Sequence, residues 1–350
     1  MAQLAFQDAL VALLCVLLSV ALRWRSCKED YPSLKVERLL LYPIKGLRPL
    51  DVETVELGEK GFKYDRRFVL VSPAEKEGGE QECHLASQFP SHQLLRQSID
   101  SSNLTLTISA SDGSSFSTPL QPSTSGLTPQ TVTLHSSPTL AYDMGDEAAA
   151  FFTKQSEGRA TRLMFLDESV SGAKYGNEGR VGREVLGSIG GGQENNGIAF
   201  QDCASYMIAS SASLADFSRQ LGHEMSIMPL RPNIVVGQAS GGLGGKLKPW
   251  VEDYWAELKI GEVPAIIRLT SNCVRCISLN IDYDTGKRLE GTGLPLQILA
   301  KDRRVDKGSY SPVFGRYGFS HDIGKTFSVG DRVQITKLNN ERTVFAWPGM

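Results

Sequence analysis

Few cysteines, little net charge and no repeats set the first limits on this chain of 350 residues. Six cysteines at this length do not make a secreted disulfide scaffold. Cys15, Cys27, Cys83 and Cys203 are scattered, only Cys273 and Cys276 form a spaced pair, and a reducing compartment follows. The net charge of -2 excludes a general nucleic-acid binder, which needs an excess of basic charge. The triple glycine Gly190-Gly191-Gly192 has no GKS or GKT after it and no strand before it, so it is not read as a phosphate-cradling loop. No internal repeat is visible. What remains is ordinary globular composition, 41% hydrophobic and 22% charged, with length enough for two domains.

The densest chemistry lies in Ser271-Asn272-Cys273-Val274-Arg275-Cys276, followed by the aspartate-rich turn Ile281-Asp282-Tyr283-Asp284-Thr285-Gly286. Arg275 stands against the second thiol, and a guanidinium favours the thiolate that binds metal or attacks as a nucleophile. A zinc site needs two more ligands, and His321 and Cys203 are isolated. A thioredoxin-type pair needs a strand-to-helix turn, whereas Ile277 to Ile281 reads as extended. A single-thiolate metal ligand with one supporting cysteine fits best. Lys45, Arg66 and Arg231 each stand at a strand end. They are either solvated surface charges or a rim that holds a planar anion such as phosphate. Tyr317 reads as core or as a hydrogen-bonding lid, Asp202 as a turn residue or an acid near a metal.

Along the chain, Leu34 to Tyr42, Arg67 to Val71 and Leu104 to Ile108 read as strands. Residues 110 to 138 read as long loops with one strand at Thr131 to Leu134, and Asp146 to Lys154 as a short helix. Residues 166–197 read as a glycine-rich linker or loop. Beyond it come a strand at Ala204 to Ala209, a helix from Ser211 ended by Gly222, and a strand at Ile234 to Val236. A hairpin over Trp255 to Leu269 turns at Gly261-Glu262; a helix at Pro295 to Lys301 and a strand at Val329 to Ile335 follow. The sum is mixed α/β but mainly β: barrel domains with helical additions rather than a doubly wound sheet.

Ala9 to Leu22 carries no charge, and extended back to Leu4 it would span about 28 Å as a helix. No Lys or Arg precedes it; Arg23, Arg25 and Lys28 follow, with Trp24 beside them. That order predicts a retained membrane anchor over 1–30 with a cytosolic body, rather than a cleaved signal peptide. The sequon Asn103-Leu104-Thr105 would then stay unmodified.

From about Val36 to the C-terminus the chain resembles the MOSC-domain proteins and, among them, the mitochondrial amidoxime-reducing components. The resemblance rests on Tyr42-Pro43-Ile44-Lys45, Asp65-Arg66-Arg67-Phe68, Asp202 ahead of Ser210 to Leu214, Arg231-Pro232-Asn233-Ile234-Val235, Glu252-Asp253-Tyr254-Trp255 and Cys273-Val274-Arg275-Cys276 with its tail, in this order. It implies an N-terminal β-barrel domain (34–165) packed on a MOSC β-barrel domain (198–340), with a molybdenum-molybdopterin cofactor between them. Cys276 would be the metal ligand, in an enclosed position between the barrels. Lys45, Arg66 and Arg231 would hold phosphate and pterin, while Gly46, Ala204, Arg275 and Tyr317 fall on further cofactor contacts and Asp202 on a catalytic one. The implied activity is an oxidoreductase that reduces small N-oxygenated substrates, amidoximes and hydroxylamines. Its electrons would come from NADH through NADH-cytochrome b5 reductase and cytochrome b5, at the mitochondrial outer membrane or the endoplasmic reticulum. Pyridoxal phosphate binding is a further property attached to the domain family. Two alternatives share the domain: a sulfur carrier with a persulfide on Cys276, and a carrier that delivers the cofactor without turnover. Sulfur-handling relatives follow a pyridoxal-phosphate desulfurase domain, and nothing here resembles one. The chain departs from the family at Gly46, where serine is usual, and at Cys203-Ala204-Ser205, where hydroxyls and a proline are usual.

Overall fold

The computed structural model describes residues 32–344 apart from 75–78, 80, 136, 168–197, 242–244 and 309. The expected anchor and almost all of the glycine-rich linker lie outside the described residues. Among the described residues no helix is long and apolar enough to cross a membrane.

Two closed sheets dominate. The larger takes its first strand, β1 (Leu34–Leu41), from the N-terminal end of the chain. β1 pairs antiparallel with the strand Ile234–Gln238 on one side and with Arg332–Leu338 on the other, so the sheet closes into a barrel. Closure removes the open edges that would invite pairing with another chain. Around the ring stand Tyr206–Ser210, Val313–Phe319, Ala265–Val274 and Trp255–Ile260. Leu34, Val36, Leu39 and Leu41 point into its core with Ile208, Ile234, Trp255, Leu258 and Ile267.

The smaller barrel is built from β3 (Phe68–Ser72), β4 (Gln81–Cys83), Gln130–Leu134, Ser137–Asp143 and Arg162–Phe165, closed where Arg162–Phe165 pairs back onto β3. The two-residue strand β2 (Ile44–Lys45) pairs parallel to β3. A three-stranded meander over Arg96–Asp100, Thr105–Ser109 and Ser115–Pro119 packs beside it. The region 110–138 therefore holds more order than its Ser/Thr/Pro content predicts. Phe116 and Thr118 alternate inward at Ser115–Pro119, and burial on one face outweighs composition.

Three α-helices stand among the described residues. α1 (Asp146–Gln155) has Asp146 and Glu147 in its first turn and Lys154 in its last, which suits the helix dipole. α2 (Ser211–Leu221) ends on Gly222, whose φ of 78° is left-handed and cheap only for glycine. α3 (Pro295–Asp302) opens on a proline whose missing N–H costs nothing at that position. One expectation fails near the cysteine pair: Ile277–Asn280 is a short 3₁₀ helix rather than extended chain. Leu279 and Asn280 are buried in that turn, and Leu279 joins the second core cluster.

Candidate active site

The site lies where the chain leaves β1 and where three other segments arrive. Tyr42 is its hinge. The Tyr42 hydroxyl donates to Pro232 O at 3.0 Å, and its backbone N–H donates to Asp65 Oδ1 at 2.9 Å. The guanidiniums of Arg66 and Arg231 stack over the buried ring, 4.2 and 4.7 Å from its centre. Both arginines hold left-handed backbone, φ 51° and 54°. Such a conformation in a non-glycine residue is costly and persists where neighbours over-determine it. Here Asn233 is the neighbour: its Oδ1 accepts from Arg66 Nη1 at 3.1 Å and from the Met207 backbone at 3.2 Å.

Lys45 is buried and ion-paired with Asp202, which also meets His135 Nε2 at 3.1 Å. Crowding by the surrounding chain raises the Asp202 pKa, but the Lys45 and His135 interactions override it and hold the carboxyl well below the usual range. Asp202 therefore carries no proton near neutrality. In the fold it is an electrostatic partner of Lys45.

The cysteine pair also departs from expectation. Cys273 is buried, near the end of the strand Ala265–Val274, while Cys276 is exposed beyond it. Arg275 Nη1 contacts Cys273 Sγ at 2.9 Å rather than the second thiol, and Arg275 Nη2 donates to Pro229 O at 3.2 Å. Burial pushes the Cys273 pKa up, against the pull of Arg275. Cys276 Sγ is 3.1 Å from Ser278 Oγ. The sequence places Cys276 enclosed between the barrels; the fold instead leaves its sulfur open to an arriving group, because the strand has ended and the chain has begun a 3₁₀ turn.

Tyr317 is buried and in hydrogen-bonding contact with the thiols of Cys203 and Cys273. Burial raises the Tyr317 pKa well above its ordinary value, so it remains a neutral phenol. Ala204 is buried in the same cluster, and Gly46 follows Lys45 with φ 88°. The structure thus brings Lys45, Gly46, Arg66, Asp202 and Arg231 into one connected contact region, and sets Arg275, Tyr317, Ala204 and Cys273 in a neighbouring one.

Sequence reasoning missed three contributors. His135 stands in a segment read mainly as loop, with no signal to single it out. The Tyr283 hydroxyl oxygen accepts from Arg231 Nη1 at 3.2 Å, although the motif was legible only as a turn. Arg48 clasps that turn, donating to the Tyr283 carbonyl and, at 3.0 Å, to Gln93 O. Asp282 shapes the turn by accepting from the Asp284 N–H at 2.8 Å. Gly286 has no room for a side chain: a Cβ there would stand 2.8 Å from Leu94 Cγ.

Two observations bear on what the site can hold. Arg275 is buried and Arg231 half-buried, yet neither shows an ion pair with a carboxylate among the described residues, and Arg275 Nε has no hydrogen-bond partner there. A buried guanidinium so placed is stabilised by an anion. No group of three His, Cys, Asp or Glu side chains could hold a metal ion among the described residues. A metal at Cys276 would have to arrive with most of its ligands, as it does in a phosphate-bearing pterin dithiolene. The donor set fits that group.

The chain, with its two closed barrels, belongs to the MOSC family. Residues 33–157 match the MOSC N-terminal beta barrel domain, and residues 195–334 match the MOSC domain. Mitochondrial amidoxime reducing component 2 of Bos taurus is 31% identical over 313 residues, covering 85% of this chain and 82% of the relative. The human protein of that name is 29% identical, with the same coverage. Molybdenum cofactor sulfurase of Arabidopsis thaliana is 25% identical, and the match covers 79% of this chain but only 32% of that protein.

Proposed function

We propose that the protein is a molybdenum-cofactor-dependent reductase of N-hydroxylated compounds such as amidoximes and hydroxylamines. The observation that carries this reading is that Arg231 and Arg275 meet no carboxylate among the described residues, close to the segment that carries Cys276. Lys45, Arg66 and Arg231 would hold the phosphate and pterin. Gly46 and Ala204 would contact them through backbone. Arg275 and Tyr317 would bound the cofactor behind Cys276, whose thiolate would be the protein ligand to the metal.

The bound cofactor would supply two-electron redox chemistry. The substrate N–OH takes two electrons and two protons and leaves as N–H and water. Among the residues of this region, Asp202 is held ionised and Tyr317 is held as a neutral phenol. NADH-cytochrome b5 reductase and cytochrome b5 would deliver the electrons. The relatives' names point to mitochondria, and the N-terminal apolar run to an anchor in the outer membrane, with the body in the cytosol.

The test is Cys276→Ala, made in a host that synthesises the cofactor. Benzamidoxime reduction is expected to fall by more than the roughly 100-fold typical of a supporting residue near a metal. Molybdenum content should fall with it. Full metal occupancy and turnover in this variant would overturn the ligand assignment.

The exposure of Cys276 also favours a second reading, a sulfur carrier with a persulfide on that thiol. Trapping of a persulfide at Cys276 by alkylation and mass spectrometry, in a cofactor-loaded protein that does not reduce benzamidoxime, would select it.

A further inference from the structure

The turn that carries Lys45 and Gly46 is held from outside by two buried glutamines. The chain reverses through Ile44 to Arg48, with the Leu47 N–H donating to Ile44 O at 3.4 Å and Gly46 at φ 88°. A turn this short makes few backbone bonds of its own, so side chains meet the groups it leaves over. Gln97, in the strand Arg96–Asp100, spans it: its Oε1 accepts from the Ile44 N–H at 3.0 Å, and its Nε2 donates to Arg48 O at 2.6 Å. Gln93, in the 3₁₀ turn Pro90–Leu94, reaches its middle: Nε2 donates to Gly46 O, and the Gln93 carbonyl accepts from Arg48 Nε at 3.0 Å. Both glutamines are buried.

The same turn is tied to two cations of the site. Lys45 extends from it to the Asp202 carboxylate, and Leu47 O accepts from Arg231 Nη1 at 3.0 Å. Arg48 carries the restraint further, since it also donates to Tyr283 O, and the Tyr283 hydroxyl accepts from Arg231 Nη1 at 3.2 Å. The bonds thus close a ring through Gln93, Arg48, Tyr283, Arg231 and Leu47. The residue type is informative as well. Burying an amide costs free energy unless both its ends are bonded. Gln97 bonds both, whereas Gln93 Oε1 has no partner among the described residues. A methionine of similar length would fill either position without that cost. Filling the core therefore does not account for the amides; holding the turn does.

We infer that Gln93 and Gln97 are positioning residues, which act through the Ile44–Arg48 turn to hold Lys45 and Arg231 in the relative places that grip one phosphate-type anion. The inference deepens the reductase reading above and rests on its assignment of these two cations to the cofactor phosphate.

The test uses the full chain without cofactor and inorganic phosphate as the probe, with affinity read by calorimetry and folding by thermal unfolding. Lys45→Met marks the site and should lose phosphate binding. Gln93→Met and Gln97→Met should each weaken phosphate about tenfold, the lower end of the effect of a partner that orients a ligand group. Ile260→Val is the control. Ile260 is buried and pairs with Val333, as Leu34 does, so it stands at the end of the large barrel remote from the turn. That variant should lose stability and bind phosphate as the unsubstituted chain does. A purely structural role predicts the same of the glutamine variants: a lower unfolding temperature with phosphate affinity unaltered. That result in both, or in whichever one folds, overturns the inference, as does an unsubstituted chain that binds no phosphate. In the cofactor-loaded protein both variants should also release molybdenum about tenfold faster. Phosphate affinity that falls as described, in a loaded protein that never reduces benzamidoxime, supports the positioning role and sinks the reductase reading. Benzamidoxime reduction with phosphate affinity unmoved by either glutamine variant sinks the positioning role and leaves the reductase standing.

Discussion

Two clusters of arginine among the described residues differ in the acceptors they meet. Behind the large barrel, Asp253 is fully buried and receives Arg303 Nη2 at 2.7 and 2.8 Å and Arg342 Nε at 2.7 Å. Arg316, equally buried, donates to Asp253 O and to Asn272 Oδ1, both at 2.7 Å. In the cleft, by contrast, Arg231 meets a carbonyl and a phenol, and Arg275 a carbonyl and a thiol. In the first cluster one carboxylate answers Arg303 and Arg342, while Arg316 is held by carbonyl and amide oxygens. In the second, Arg66 pairs with Asp65 and Lys45 with Asp202, but Arg231 and Arg275 meet no carboxylate among the described residues. Burial alone does not separate structural from functional charge.

Four measurements would break or sharpen that contrast. The largest effect should come from Asp253→Ala, which strands Arg303 and Arg342 without a carboxylate. A loss of about 3–5 kcal/mol is expected in urea unfolding. A loss below 1 kcal/mol would show that the cluster does not depend on its internal counter-charge.

Next in size is a pH effect from the adjoining Glu252. Burial, above all, pushes this carboxyl up to about 7 from an ordinary value of 4.5, with Asp253 adding to the rise and Ser213 opposing it. Between those two values the folded chain holds a proton that the unfolded chain has released. Stability should therefore fall as pH rises from about 4.5 to about 7, by roughly 3 kcal/mol, and level off above. Glu252→Gln should flatten the profile in that window; an unaltered slope would place the effect elsewhere.

Arg231→Gln should act on the cofactor and hardly on the fold. Molybdenum retention after gel filtration is expected to weaken about tenfold, in the range of a residue that supports a metal group. The cofactor-free protein should keep its urea midpoint within about 1 kcal/mol. A collapse like that of Asp253→Ala would make Arg231 a structural residue. The smallest change is expected at the exposed Arg38–Asp51 pair, where Arg38 Nε donates to Asp51 Oδ1 at 2.8 Å. Asp51→Ala should cost less than about 1 kcal/mol, because solvent screens both charges.

Much of the local architecture was legible along the chain. The strands at Leu34–Leu41, Phe68–Ser72 and Ile234–Gln238 and the three helices of the described residues stand within a few residues of where apolar runs, prolines and Gly222 place them. These signals are local, since alternation and caps act over a handful of residues. Strands in the Ser/Thr-rich region were less legible, because burial of one face decides them and burial is a property of neighbours. The partners of the site residues were legible least. Adjacency in sequence pairs Arg275 with Cys276, whereas the fold turns its guanidinium onto Cys273. His135 comes to Asp202 across 67 residues, which no spacing announces.

By itself, then, the order of residues determined a mainly β chain of two barrel domains and the chemical kinds of group in the cleft. Hydrophobic alternation and turn chemistry are written residue by residue. Only the tertiary structure decided which of the described thiols is open, which carboxylate is held ionised, and which arginines meet no carboxylate among the described residues. Those properties arise from through-space Coulomb energy and desolvation, and both depend on the distance between segments that the sequence keeps far apart.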